Sequence, residues 1–327
     1  MTRSLPTLLL SLLLLLLGTA PFWAASEPYV LHLLVLMCVF AIPAVGLNLI
    51  LGFGGLVSLG HMGFAGIGAY TAAVLMVDAH WNFWAALLAG TLAAGLAGAL
   101  IGIVCFRFRG HFFMIVTLAF GLMLHAVMNN WDAVTRGAAG FAGIPRPAPL
   151  HWNDTTFSFG PLSNFYYLAF GLALFAFWVQ YVVVRSDLGR TLSAIRQDER
   201  LASARGVNTL LYKTLVFSLG TALAGLGGVL QICFLRVAAP ASFTMLESIN
   251  MVLIVIIGGA GSLIGPALGA LLYVALPEFL RLASEWRLVI FGALLVLITL
   301  FAPTGLAGLL RTATDRLRRA FVKRSVA

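Results

Sequence analysis

The chain is a succession of apolar runs close to the thickness of a bilayer, separated by short polar or glycine-rich connections, and that pattern leaves it few folds. A helix needs about 20 apolar residues to cross the ~30 Å hydrocarbon layer and must satisfy its backbone groups internally. Ten such runs can be read, at residues 5–25, 29–51, 64–77, 83–106, 112–129, 165–184, 214–235, 248–258, 265–280 and 288–306. Composition agrees: 61% of the 327 residues are hydrophobic and 9% are charged, against about 25% charged in soluble domains. The expected fold is an all-α membrane protein, a polytopic bundle of about ten transmembrane helices. Runs 64–77 and 248–258 are too short to span alone, so the glycine-rich segments beside them must complete them or make broken or re-entrant pieces.

The net charge of +9 has a topological explanation. With the N-terminus inside, fifteen of the twenty Lys and Arg fall on one side: Arg3, Arg107, Arg109, the six cations of residues 185–213 and the six of 311–324. Arg136, Arg146, Arg236, Arg281 and Arg287 fall on the other. Cytoplasmic loops carry such an excess, so both termini are expected in the cytoplasm, with anionic membrane lipid rather than nucleic acid as the partner of the basic face. The first run has a rival reading, because Arg3 followed by Leu8 to Leu17 also has the layout of a signal peptide. Pro21 directly after Ala20, and Trp23 three places before a cut after Ala25, favour a retained helix.

Catalytic signatures are missing: the sequence holds no HExxH, CxxC, GxSxG or GxGxxG. Cys38, Cys105 and Cys233 sit in separate apolar runs, which suits buried inert thiols and neither a disulfide framework nor a metal site. Lys213-Thr214 lacks the preceding glycine of a phosphate-binding loop, so no metal or nucleotide cofactor is expected in this chain. All eleven carboxylates fall in loops or near helix ends in this topology. An ion-coupled carrier commonly places an acid in mid-membrane, at a cost of ~2.5–3.5 kcal/mol or more, so an ion-coupled secondary transporter or channel is the weaker alternative.

Seven glycines crowd residues 52–68, with Ser58 and His61 among them. Each weakens a helix by about 1 kcal/mol relative to alanine, so the stretch either breaks or packs closely against neighbouring helices. His61 reads as an interior histidine bonded to a carbonyl or as a solute contact. The hexapeptide GGLVSL at residues 54–59 returns as GGAGSL at 258–263, a weak sign of a parallel repeat. Gly261, Gly265 and Gly269 have the spacing of one helical face. On the inner side, residues 185–213 are the longest polar interruption. Asp198 is suited to an N-cap, Glu199 to the positive end of a helix dipole, Arg205 to the negative end and Gly206 to a left-handed C-terminal position. A short docking helix and a solvated loop are both compatible with that punctuation. Outside, residues 130–164 form one long loop whose glycines and prolines suit an irregular cap.

Five stretches together resemble the permease subunits of branched-chain amino acid ABC transporters, of the LivM type. They are GLNLILGFGGLVSLGHMGFAGIGAYTAA (46–73), RFRGHFFMIVTLAFG (107–121), TRGAAGFAGIPRP (135–147), GRTLSAIRQDERLASARGVNTLLYK (189–213) and IIGGAGSLIGPALGA (256–270). The resemblance covers roughly Val45 to Gly308, and the chain is expected to form one transmembrane permease domain over 1–327. Within it, 1–28 would be an N-terminal accessory helix, 130–164 a periplasmic loop, 185–213 a cytoplasmic coupling loop and 307–327 a basic cytoplasmic tail.

It implies an importer of branched-chain or related amino acids in a bacterial inner membrane. This chain would pair with a second homologous permease, two cytoplasmic ATPase subunits that bind the ATP, and a periplasmic substrate-binding protein. Asp198, Glu199, Ala202, Ala204, Gly206 and Val207 match the family's ATPase-coupling loop, while Ser203 and Arg205 depart from it. Polar side chains within a bundle line cavities more often than they face lipid, which nominates Asn48, Ser58, His61, Thr117 and Ser262 for the substrate pathway. No catalytic residue and no metal site are expected.

Overall fold

The computed structural model describes residues 18–23, 27–106, 111–152, 155–279, 292, 305–309 and 312. Most of the runs at 288–306 and 5–25, Arg107 and Arg109, and most of the 307–327 tail lie outside the described residues. The rest is a helical bundle. Helix α1 (Pro28–Leu47) passes directly into a π-helical turn, Asn48–Phe53. Then follow α2 (His61–Val77), α3 (Phe83–Cys105), α4 (His111–Asn130), α5 (Leu162–Arg185), α6 (Asp187–Gln197), α7 (Glu199–Ala204), α8 (Thr209–Leu235), α9 (Met245–Gly258) and α10 (Gly265–Phe279).

Among the described residues five stretches are long and apolar enough to cross a membrane: Pro28–Phe53, Phe83–Cys105, Phe112–Asn130, Leu162–Arg185 and Thr209–Leu235. With 17 and 14 residues, α2 and α9 reach only about 25 and 21 Å at 1.5 Å per residue. Of the ten expected runs, five reach spanning length among the described residues, three correspond to the shorter α2, α9 and α10, and two lie mostly outside the described residues, so the structure shows five spans and not ten. One boundary moves noticeably: α8 begins at Thr209, five residues before the expected run, because the Asn208 side chain accepts from the Leu211 N–H (3.1 Å) and starts the helix early.

Helix α8 is the axis of the bundle, packed against α1, α2 and α3. Glycines permit the crossings. A Cβ built at Gly68 of α2 would lie 2.5 Å from the Cα of Gly225 in α8, and one at Gly228 would strike the Ala65 carbonyl. One at Gly220 would run into the Gly46 carbonyl and Ile50, and one at Gly227 would be 2.5 Å from the Pro43 ring. With little gain from apolar burial between helices in lipid, such backbone approach is what dispersion and shape require. Helix α3 has two faces of its own. Ala86, Gly90, Ala94, Gly98 and Gly102 are buried, whereas Leu88, Leu92, Leu96 and Leu100 are 63–69% exposed.

At the end opposite α6 and α7, residues 131–161 form the expected irregular cap. A helical turn (Asp132–Thr135), a 3-10 turn (Gly137–Ala139) and a two-residue strand, β1 (Phe141–Ala142), lead to a small hairpin, β2 (Leu150–Trp152) with β3 (Thr155–Phe157). Strand β1 pairs antiparallel with β4 (Val237–Ala238), just beyond α8. Arg136 pins the cap, pairing with Asp78 at 2.7 Å while its guanidinium lies 4.4 Å from the Phe141 ring centroid.

Candidate functional site

Two of the expected spacings resolve differently in three dimensions. The glycine stretch at 52–68 both breaks and packs: residues 54–60 leave the helix, whereas Gly63, Gly66 and Gly68 lie inside α2 against other helices. Gly261, Gly265 and Gly269 do not share one helical face, because Gly261 stands in the turn between α9 and α10 at φ +79° and only Gly265 and Gly269 are helical. The turn at Gly261 forms because positive φ is open to glycine, and the four-residue spacing carries no information once the helix has ended.

That turn is where the first cluster of nominated residues meets. Asn48, fully buried at the start of the π turn, accepts the Gly261 N–H on Oδ1 (2.8 Å) and donates from Nδ2 to the Ser262 carbonyl (2.8 Å). Gln180 of α5, also fully buried, donates to the Ser262 and Leu263 carbonyls (3.4 and 3.3 Å). The Ser262 hydroxyl stays within its own turn, donating to the Gly259 carbonyl (2.9 Å). Asn48 and Ser262, 214 positions apart, are therefore joined through the Ser262 backbone.

Ser58, His61 and Thr117 lie around the broken segment. Thr117 of α4 takes the Leu59 N–H on its hydroxyl oxygen (3.3 Å), while that hydroxyl donates to the Met114 carbonyl (3.0 Å). His61, the first residue of α2, has Nε2 3.0 Å from the Pro43 carbonyl of α1, so its ring ties two helices in the manner of an interior histidine. Its Nδ1 and the Ser58 hydroxyl are buried without a protein partner, which leaves both with unused hydrogen-bonding capacity. Ser248 of α9 holds the start of α2 by accepting the Met62 N–H (3.1 Å).

The polar segment 185–213 folds as two helices. Helix α6 presents Gly189, Leu192 and Ile195 to the bundle, packing on α5, α8 and the π turn. Helix α7 follows after one residue. Asp198 caps it by accepting the Arg200 and Leu201 N–H groups (2.9 and 3.0 Å). The far end closes at Gly206, φ +86°, where the Gly206 N–H reaches the Ser203 carbonyl (2.9 Å) and the Val207 N–H the Ala202 carbonyl (3.2 Å). Ala202 is buried and Val207 half-buried, while Ala204 and Gly206 are exposed and Leu201 is 54% exposed. The Glu199 carboxylate is engaged inside the chain, 2.6 Å from Lys213 Nζ, with side chains 32% and 11% exposed. Helix α7 thus offers an open apolar face at the bundle end while one buried lysine fixes its start to α8.

Sequence reading left out four residues that organise the site: Gln180, Arg196, Lys213 and Ser248. Gln180 is the one amide within the 165–184 run, a usable signal. Lys213 is one of only two lysines. Arg196 carried no signal beyond its charge, yet its guanidinium donates to the Gly52 carbonyl. Among the described residues no cluster of His, Cys, Asp or Glu could hold a metal ion.

Over residues 29–299 the chain matches the family described as branched-chain amino acid transport system / permease component. It is 33% identical to the high-affinity branched-chain amino acid transport system permease protein LivM of Escherichia coli strain K12 over 294 residues, covering 84% of this chain and 69% of LivM. It is 26% identical to the corresponding permease protein LivH of the same strain over 285 residues, 82% of this chain and 91% of LivH. A solved structure, described as a metal-chelate type ABC transporter in an inward-facing conformation, aligns with a TM-score of 0.50 at 15% identity, covering 91% of this chain and 99% of that one, a likeness of fold. With apolar helices of membrane-spanning length and a family match through most of its residues, the chain belongs to the branched-chain amino acid transport system permease family and is a multi-pass membrane protein.

Proposed function

We propose that this chain is a permease subunit of an ATP-driven importer that moves branched-chain or related amino acids inward across a bacterial inner membrane. A second homologous permease completes the pathway, a periplasmic substrate-binding protein delivers the solute, and two cytoplasmic ATPase subunits bind and hydrolyse ATP. The chain itself performs no covalent chemistry and holds no cofactor. Both termini and α6–α7 face the cytoplasm, and the cap at 131–161 faces the binding protein. Asp198, Glu199, Ala202, Ala204, Gly206 and Val207 build the ATPase-coupling element, while Asn48, Ser58, His61, Thr117 and Ser262 belong to the walls and hinges of the substrate pathway.

The observation that carries this reading is the capped helix α7, which exposes Leu201, Ala204 and Gly206 at one end of a bundle whose family members are transport permeases. A short helix of that kind is a surface for a motor to push. ATP-dependent closure and opening of the motor would then shift the population between two access states of the bundle.

The test is uptake of radiolabelled leucine into proteoliposomes holding the assembled complex and its binding protein. Uptake is expected with ATP and absent without it. Leu201→Arg is expected to abolish uptake while the chain still inserts and purifies, because the side chain is exposed in the free subunit. Accumulation without any ATPase subunit would defeat the proposal.

A further inference from the structure

The Gly52 carbonyl lies at the open end of the π turn, where the Arg196 guanidinium from α6 bonds to it. Arg196 fits there because Gly55 leaves room for its side chain, while Gly52 and Gly261 let the two turns approach each other. A Cβ built at Gly55, φ +68°, would lie 2.9 Å from Arg196 Cγ, and one at Gly261 would lie 3.6 Å from its Nη1. One at Gly52 would strike Asn48 Oδ1 and the Gly261 backbone. The two glycine turns and α6 therefore converge on one guanidinium, while Asn48 locks the turns to each other. Among the described residues this is the side-chain hydrogen bond from α6 to the bundle. Beside it lies an open surface groove of about 320 Å³ lined by Phe53, Ser193, Arg196 and Gln197, so the arginine is in contact with solvent.

We infer that Arg196 is the positioning residue that passes displacement of α6–α7 to the two glycine turns, and so to the pathway. The inference rests on the proposed ATP-driven import. A charge-assisted hydrogen bond to a carbonyl is strong enough to transmit a pull, and because Arg196 is exposed the bond can be exchanged for water.

The test compares leucine uptake and ATP hydrolysis in proteoliposomes containing the full complex with wild-type chain, Arg196→Ala or Arg196→Lys. For Arg196→Ala, uptake per ATP hydrolysed is expected to fall at least tenfold while hydrolysis stays within twofold of wild type. Arg196→Lys, which keeps a charged donor, is expected to recover a substantial part of that ratio. A structural role alone would lower uptake and hydrolysis together by reducing the assembled fraction, leaving the ratio unchanged, and that result overturns the inference. Should Arg196→Ala fail to assemble, Arg196→Met, which keeps the length without a donor, takes its place: a lowered ratio supports the inference and a wild-type ratio overturns it. A wild-type complex without ATP-dependent uptake would instead defeat the functional reading, and this inference with it.

Discussion

Where α8 crosses α1, α2 and α3, glycine brings backbones together and shape does nearly all the holding. The polar contribution there is small, as in the Ser218 hydroxyl donating to the Gly95 carbonyl at 2.8 Å. Where residues 48–55 meet 259–263, glycine is just as dense, yet the joint is held by Asn48, Gln180 and Arg196 bonded to backbone groups. The first region offers few polar side chains that could take up other partners. In the second, every bond joins groups able to take other hydrogen-bond partners, and Arg196 is exposed to solvent. Similar composition thus serves a fixed crossing in one place and a changeable joint in another, and the neighbouring polar side chains make the difference.

Three substitutions probe that contrast. The largest effect is expected from Gly68→Val, because the facing atoms belong to the Gly225 backbone and cannot turn aside. Overpacking of about 3 kcal/mol should appear as loss of monodisperse protein in detergent and a strongly lowered melting temperature. Near-normal melting would break the distinction. Asn48→Leu comes next. It keeps the volume but leaves the Gly261 N–H unpaired and takes one donor from Ser262, a cost of about 2 kcal/mol. The protein should still fold and insert, with uptake reduced more than stability; a parallel fall of both would make the joint as fixed as the crossing. Ser262→Ala should be mildest, about 0.5 kcal/mol, since that hydroxyl reaches only the Gly259 carbonyl. Unchanged melting with a large loss of uptake would put the hydroxyl itself on the solute's path.

The contrast also explains what could be read in advance. Apolar runs located α1, α3, α4 and α5 to within four residues at either end, because length and hydropathy alone decide a spanning helix. Asp198 and Gly206 were legible as caps because their chemistry is local. Helix α6 was not, since only Gly189, Leu192 and Ile195 of its eleven residues turn inward and the remainder has the polarity of a loop. Arg196 could not be singled out from sequence, because an arginine beside a span counts equally toward charge bias whether or not it bonds to a carbonyl 144 positions away. The pairing of Asn48 with the turn at Gly261 is hidden for the same reason, being a contact between distant segments.

The two faces of α3 have one more implication. Its leucines and its small residues each recur every fourth position, offset by two, so they occupy opposite sides of one rod. Exchanging any outward leucine for another apolar residue changes little. Inserting a single residue is another matter: it rotates everything beyond it by about 100°, swinging leucines toward α8 and glycines toward lipid. In this helix spelling is forgiving and frame is not.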